Sequence, residues 1–235
     1  MKTLYKSTLY SLLLLSVLSV QAVIAMPTPF EANYSVAKGS LTLGNLHTSL
    51  KVNGNRYAYQ KFTKATGLAA LLTGIKITEN TNGEFTKNTI QPSNYFFNQS
   101  RRNKDRIDKI QFLNKMANGS YKENPYKVPF VNNTQDRASL ELSLARDLSL
   151  NKPSLSYSVI ERGNKKQYQF QKLGIEKVET PAGNFNAIKV KVIRKGGQRE
   201  TIFWLAKETD FMPVKIYHRE KDDVITTILK DYKKY

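Results

Sequence analysis

The chain has no cysteine among its 235 residues, and it has only one tryptophan and two histidines. Without cysteine there is no disulfide, no thiol nucleophile and no thiolate metal ligand. His47 and His218 lie in separate strand-like segments, and neither has a second ligand at the spacing of a metal site. Phosphate-binding and dinucleotide-binding loops are absent as well. The sequence therefore predicts no metal, no cofactor and no catalytic residue, and we expect a protein that is not an enzyme.

Long apolar runs are absent except near the N-terminus. Lys2 and Lys6 precede the apolar stretch Leu9–Val20, and small residues follow it as far as Ala25. This order is typical of a secretory signal peptide, with cleavage expected after Ala25. An uncleaved anchor is the alternative, but the stretch is short for a spanning helix of about 20 residues. We expect residues 1–25 to be removed and residues 26–235 to form one soluble periplasmic domain. Without cysteine the protein is not expected to be a lipoprotein.

Acidic residues are scarce: 19 Asp and Glu stand against 37 Lys and Arg, a formal net charge of +18. Such a charge favours anionic partners, for example an envelope surface that carries phospholipid headgroups. The structural alternative is that lysine protects exposed strand edges from aggregation. No nucleic acid partner is expected, because an exported protein does not meet one. The oligomeric state does not follow from the composition.

Alternation of apolar and polar residues is the dominant pattern in the rest of the chain. It is clearest in Ile175–Tyr217, where the period is near two between turn residues. Hairpin turns are predicted at Asn53-Gly54, Asn82-Gly83, Asn118-Gly119 and Gly196-Gly197. The predicted fold is mainly β, a strongly curved antiparallel sheet or a half-open β-barrel.

One segment has a convincing helical pattern, at about 134–148. Leu140, Leu144 and Leu148 form a row with a spacing of four residues, and Asn133 or Thr134 is expected to cap the first turn. A single amphipathic helix among many strands usually covers the concave side of the sheet or plugs a barrel end. We therefore expect this main helix to pack against the curved sheet.

Aromatic residues recur along the alternating strands, which suggests a ligand site. The hypothesis is an apolar cavity between sheet and helix that receives an acyl chain, with basic residues at its rim. The alternative is that the same rings fill a solid core. Gly67–Thr73 would be a lid in the first case. Burial, as a strand or as a helical turn that caps the barrel mouth, is the default expectation for so apolar a segment, and an exposed loop that dips into lipid is the alternative. The candidate ligand-binding residues are Tyr57, Tyr59, Leu71, Leu72, Tyr168, Phe170, Phe203 and Trp204.

A basic cluster occupies residues 101–106. It contains Arg101, Arg102, Lys104 and Arg106. Two interpretations stay open, the solvated end of a hairpin and a docking patch for anionic groups.

Five short motifs in fixed order resemble an uncharacterised family of exported proteobacterial proteins, the domain of unknown function 3108. They are Phe30–Tyr34, Asp136–Leu140, Glu179–Phe185, Phe203–Ala206 and Met212–Val214. The resemblance implies a periplasmic location and a β-rich fold, similar to the half-closed barrels of lipoprotein carriers. The family has no agreed activity, so the resemblance implies no functional residue.

Three classes of function remain. The first is a non-enzymatic envelope protein that binds a lipid or another hydrophobic ligand in the hollow of the curved sheet. The second is an envelope scaffold that docks through its basic surface on anionic lipid or on a protein partner. The third, an enzyme acting on a cell-wall substrate, has no motif in its favour.

Overall fold

Antiparallel strands make up most of the described chain. The computed structural model describes residues 28–102, 104–194 and 196–235, in which fourteen strands form one sheet. The expected signal peptide, 1–25, and its cleavage site lie outside the described residues. The prediction of a strongly curved antiparallel sheet is confirmed.

The elements follow one another in two runs of strands separated by a helix. The first run contains β1 (Phe30–Lys38), β2 (Leu41–Asn53), β3 (Arg56–Ala65), a short helix α1 (Gly67–Thr73), β4 (Lys76–Phe85), β5 (Ile90–Arg101), β6 (Lys104–Leu113), β7 (Met116–Tyr121) and β8 (Asn124–Pro129). The longer helix, α2 (Ser139–Ser149), comes next. The second run contains β9 (Leu155–Glu161), β10 (Asn164–Thr180), β11 (Gly183–Ile193), β12 (Arg199–Ala206), β13 (Pro213–Glu220) and β14 (Asp223–Lys234). No helix in the described ranges has the length and apolar character needed to cross a membrane.

Each run is a meander, and pairing of the first strand with the last joins the two runs. The strand order is β8-β7-β6-β5-β4-β3-β2-β1-β14-β13-β12-β11-β10-β9, so β8 and β9 are the two edges. Because neighbours are antiparallel, the connections that follow odd-numbered strands all lie at one end of the sheet. Helix α1 follows β3, and we call this end the α1 end.

The two edge strands approach each other, which nearly closes the sheet into a barrel. The carboxylate of Asp108 in β6 accepts a hydrogen bond from the Tyr126 hydroxyl of β8 at 2.7 Å. Its other oxygen accepts one from the backbone N–H of Arg162, in the β9–β10 turn, at 2.8 Å. Gly163 lies against the Tyr126 ring, and a Cβ at this glycine would be 3.1 Å from that ring. We call this contact between the two edges the seam.

Helix α2 lies inside the curved sheet and separates two apolar clusters. Leu142 and Ala145 pack into the larger cluster, together with rings from the first run of strands. Leu140, Leu144 and Leu148 pack into the smaller cluster, which β9 to β12 complete. The leucine row predicted from the sequence is therefore real, and the helix is also buried on its other sides.

The helix starts five residues later than predicted, at Ser139 rather than at about 134. Gln135 is extended, and its backbone makes a bridge to Val159 of β9. Asp136, not Asn133 or Thr134, supplies the cap: one carboxylate oxygen accepts the backbone N–H groups of Ala138 and Ser139, each at 2.8 Å. The chain just before the helix thus pairs with the edge of β9 instead of forming a further helical turn.

Two of the predicted hairpin turns are wrong. Asn82-Gly83 lies within β4, where the register shifts, and Asn118-Gly119 lies within β7. Neither glycine forms a turn. Each is needed because the backbone of the neighbouring strand comes too close for a Cβ. A Cβ at Gly83 would lie 2.0 Å from the carbonyl oxygen of Gln91, and one at Gly119 would lie 2.2 Å from that of Lys109.

Candidate functional site

A cleft of about 990 Å³ lies between α2 and the strands from β9 to β13. Alternation along β12 sends Thr201, Phe203 and Leu205 to the same side, and all three line the cleft. Tyr168 and Phe170 reach it from β10 in the same way. The larger apolar cluster is separate from the cleft: among the described residues, no buried member of that cluster lines it.

The floor of the cleft is apolar. It is formed by the smaller cluster, in which Phe170 and Phe203 have ring centroids 6.3 Å apart. Leucine side chains from α2 cover the same floor. The residues of this cluster that line the floor are Leu140, Leu144, Phe170, Val192, Phe203 and Leu205.

The rim of the cleft is basic and lies toward the α1 end. Six guanidinium or ammonium groups line the cleft, against three carboxylates. Each carboxylate has a cationic partner: Glu141 pairs with Lys61, Glu161 with Lys166 and Glu220 with Arg199. The remaining basic residues are Arg106, Arg137, Arg162 and Arg194.

Three of these four arginines form no ion pair with any residue in the described ranges. Arg106 belongs to β6, Arg162 to the β9–β10 turn and Arg194 follows β11, so three separate connections bring them to the same rim. The fourth, Arg137, is held by Glu79 at 3.9 Å and by Glu161 at 3.7 Å. In the described ranges these three guanidinium groups therefore have no carboxylate within ion-pair distance.

A buried polar network lies behind the cleft. Glu79 accepts a hydrogen bond from the Tyr95 hydroxyl at 2.7 Å and lies 3.8 Å from the ammonium group of Lys61. Arg137 connects Glu79 of β4 with Glu161 of β9, and its guanidinium also stacks on the Phe97 ring at 5.5 Å. The network joins both runs of strands to the start of α2.

The network carboxylates are charged in spite of their burial. Burial alone would raise the pKa of Glu79, but Arg137 and Lys61 hold that pKa below its usual value. Burial would likewise raise the pKa of Glu161, but Lys166 and Arg137 hold it below its usual value. Glu79 raises the pKa of the Arg137 guanidinium further above its usual range. The network is therefore a set of compensated charges, which suits a structural role.

His218 is a neutral part of the cleft wall. Its Nδ1 lies 2.9 Å from the Thr201 hydroxyl. Burial and the nearby Arg194 lower the pKa of this imidazole below its usual value. In the described part of the chain no three His, Asp or Glu side chains are grouped so that they could hold a metal ion.

The model of one family, proteins of unknown function DUF3108, matches residues 30–230. The chain belongs to the DUF3108 family. This match confirms the family resemblance that the five sequence motifs indicate. Comparison with curated proteins gives no match.

Among solved structures, the fold is similar to that of a beta-barrel-like DUF1849 protein from Brucella abortus. The two share 9% identity with a TM-score of 0.55, over 89% of this chain and 99% of that one. Two further structures align with lower scores. A candidate lipoprotein from Parabacteroides distasonis has 9% identity and a TM-score of 0.34, over 89% of this chain and 98% of its own. A candidate exported protein with YmcC-like fold from Bacteroides fragilis has 8% identity and a TM-score of 0.33, over 87% and 95%.

Of the eight candidate ligand-binding residues, three line the cleft of this DUF3108 protein: Tyr168, Phe170 and Phe203. Tyr57 and Tyr59 are buried in the larger apolar cluster, where the rings of Tyr57 and Phe85 stack with centroids 4.9 Å apart. For these two rings the structure agrees with the solid-core alternative.

The other three candidates lie elsewhere. Trp204 is 5% exposed and belongs to the larger cluster, on the other face of β12 from Phe203. Leu71 and Leu72 lie on α1, of which no residue is buried. The default expectation that Gly67–Thr73 is buried is therefore wrong.

The basic cluster of residues 101–106 is divided between two surfaces. Arg106 lines the cleft, and it also borders a second, smaller depression of about 400 Å³ with Arg101 and Lys104. Arg102 instead donates a hydrogen bond to the carbonyl oxygen of Leu71 and so holds α1 in place.

The sequence reasoning missed Arg162 and Arg194 as site residues. A signal is present in the sequence, because both residues flank alternating strands next to glycine-containing turns, and every second turn of a meander lies at the same end. The predicted cavity between sheet and helix already includes the main helix, and the structure shows that Leu140 and Leu144 line the cleft.

Proposed function

We propose that this DUF3108 protein is a non-enzymatic binding protein of the cell envelope, and that its cleft receives a single-chain amphiphile with an anionic headgroup. The acyl chain lies on the floor formed by Phe170, Phe203 and the leucines of α2. The headgroup lies at the rim against Arg106, Arg162 and Arg194. The observation that carries the proposal is the position of these three arginines, free of ion pairs, above an apolar floor.

The size and chemistry of the cleft support this ligand class. Small-molecule sites usually measure roughly 300–1,000 Å³ and combine an apolar lining with a few directed polar groups. A carboxylate or phosphate is the group that guanidinium binds best, because two parallel hydrogen bonds can form. A neutral hydrophobic ligand would leave the rim charges without a partner.

An envelope location is supported by the sequence of residues 1–25, which has the order of a signal peptide. In a periplasm the available amphiphiles include lysophospholipids and fatty acids. N-terminal sequencing of the fractionated protein tests the location. A soluble chain that begins at Met26 is expected, and an intact Met1 in the membrane fraction would contradict it.

Titration with a fluorescent fatty acid and with the matching fatty alcohol tests the ligand class. We expect one saturable site that binds the acid at least about tenfold more tightly than the alcohol, the effect of one charge-assisted hydrogen bond. Arg194→Glu should remove this preference, whereas Lys177→Glu, at an exposed lysine far along β10, should keep it. Equal binding of acid and alcohol by the wild type would overturn the assignment of the rim.

The floor is tested by Phe203→Asp, which should abolish binding of both probes. Phe62→Asp is the matched control, because Phe62 is 42% exposed on β3 and lies outside the cleft. Thermal melts of both variants establish that they are folded. If the folded Phe203→Asp variant binds as well as the wild type, the cleft is not the site. Native mass spectrometry of protein purified from periplasm should then identify the natural ligand.

A further inference from the structure

Helix α1 presents an apolar face to solvent. Leu68, Leu71 and Leu72 are at positions i, i+3 and i+4, so they project from the same side of the helix. They are 65%, 65% and 77% exposed. Three neighbouring leucines in this state are unusual on a soluble protein, where large apolar side chains at the surface are normally scattered.

The helix is fixed in this position by contacts on its other side. Arg102 donates a hydrogen bond to the Leu71 carbonyl, which would otherwise be free at the helix end. Gly74 ends the helix in a left-handed conformation, and its N–H returns to the carbonyl of Ala70 at 2.9 Å. The sequence thus builds a closed helical turn whose leucines stay outside the core.

Exposed basic residues surround this helix. They come from three of the four connections of the first run of strands that share the α1 end: β3–β4, β5–β6 and β7–β8. Only Asp105 and Glu123 are exposed acidic residues in the same connections. The exposed basic residues are Lys64, Lys76, Arg101, Arg102, Lys104 and Lys122.

We propose that the α1 end docks reversibly on a lipid bilayer that carries anionic headgroups, with the three leucines of α1 inserted between the lipids. An apolar helix face that enters the interface and a basic surround that contacts headgroup phosphates are the two elements of peripheral membrane binding. A protein partner would need an apolar pocket with an acidic border, whereas an anionic bilayer offers both chemistries at any point of its surface.

The same end holds the rim of the cleft, since Arg162 and Arg194 follow odd-numbered strands too. Docking would therefore bring the mouth of the cleft to the membrane surface. The docking itself does not rest on the proposed ligand, because α1 and its basic neighbours are outside the cleft. The two proposals can accordingly fail separately.

Vesicle sedimentation with the exported protein, purified after expression of the full chain, tests the docking. We expect binding to vesicles that contain phosphatidylglycerol and little binding to pure phosphatidylcholine. Binding should fall steeply as salt is raised to about 0.5 M, because headgroup attraction is screened. The double variant Leu71→Asp with Leu72→Asp should weaken binding at least about tenfold, since each aspartate replaces an inserting side chain by a charge that the lipid repels.

Matched controls exist at the opposite end of the barrel. Leu113 and Val131 are 53% and 60% exposed there, so Leu113→Asp with Val131→Asp adds the same charge without touching α1. This control should bind vesicles nearly as well as the wild type.

The basic surround is tested by a second pair of double variants. Lys64→Glu with Lys76→Glu should weaken binding to anionic vesicles, whereas Lys115→Glu with Lys207→Glu, both exposed at the opposite end, should have a much smaller effect.

Two results would overturn the docking proposal. One is failure of the wild-type protein to sediment with anionic vesicles at low salt. The other is an equal loss of binding in the α1 variants and in their controls, which would mean that the change in net charge alone weakens binding. Melting temperatures of all variants should match the wild type, because every substituted side chain is exposed. If the Leu71→Asp, Leu72→Asp variant still binds the fatty acid as the wild type does, its loss of vesicle binding is due to the docking surface and not to the cleft.

Discussion

At the scale of single residues, Trp204 shows how a buried ring can be held by charged neighbours. Its indole lies between the ammonium groups of Lys189, at 5.2 Å, and Lys215, at 4.7 Å. The indole N–H donates a hydrogen bond to Glu176 at 3.1 Å. The ring itself is 5% exposed. Cation–π contacts on both sides and a hydrogen bond at the edge thus satisfy the whole side chain.

Replacement of Trp204 by alanine should lower the free energy of unfolding by about 3–5 kcal/mol, because the loss of a large buried ring leaves a cavity. Ile175→Ala is a suitable control, since Ile175 is 75% exposed. Chemical denaturation of both variants measures the effect. A Trp204→Ala protein that is as stable as the control would show that the ring contributes little to the core.

At the scale of the element, the start of α2 depends on a buried aspartate. Asp136 accepts the first free N–H groups of the helix, and it also accepts a hydrogen bond from the Thr81 hydroxyl at 2.6 Å. Burial nevertheless raises the pKa of Asp136 from 3.8 to about 6. The folded state therefore binds the proton more tightly than the unfolded state does. The resulting stabilisation of the folded state by the bound proton is complete below about pH 3.8 and is lost as the pH rises through 6.

Asp136→Asn removes this titration and keeps an oxygen acceptor for the helix. Relative to the wild type, the free energy of unfolding of the variant should therefore rise between pH 4 and pH 7, by about 2–3 kcal/mol at 1.36 kcal/mol per pKa unit. Denaturation curves at several pH values measure the difference in the free energy of unfolding between variant and wild type. The contributions of the other titrating groups cancel in this difference. Two curves that stay parallel would contradict the raised pKa. Asp136→Ala should be less stable than Asp136→Asn at every pH, because it also removes the cap.

At the scale of the whole molecule, closure of the barrel depends on a few side chains. The ring of Tyr126 lies on Gly119 of β7, where a Cβ would be 2.6 Å from it, and also meets Gly163 across the seam. Asp108 is 2% exposed and bonds to both edges. Asp108 thus connects the two edges, whereas β8 and β9 are not paired with each other in the part of the chain that the structure describes.

Asp108→Ala should loosen the seam and lower the free energy of unfolding by about 1–3 kcal/mol. It removes the acceptor of the Arg162 N–H. It also leaves the Tyr126 hydroxyl only its longer contact, 3.3 Å, with the carbonyl oxygen of Lys109. Hydrogen exchange should become faster in β8 and in the β9–β10 turn, and remain unchanged in β1 and β14. Asp105→Ala, at an exposed position of the same strand, is the control. Unchanged exchange in β8 would mean that packing against Tyr126 holds the seam without Asp108.

Much of the fold is predictable because it depends on local pattern. Alternation along the strands indicates the antiparallel sheet, and the row of Leu140, Leu144 and Leu148 indicates a core-facing helix. These features depend on the geometry of strands and helices, so they need no knowledge of distant residues.

The sequence by itself thus determined the strands, the main helix and the family of this protein. Tertiary structure alone decided which rings fill the core and which line the cleft, because Trp204 and Phe203 are adjacent in β12 and differ only in what lies on each face. It also decided that Gly83 and Gly119 serve close packing, and that Arg106, Arg162 and Arg194 meet at one rim. In each case the deciding contact joins residues from different strands, and local periodicity carries no information about such a contact.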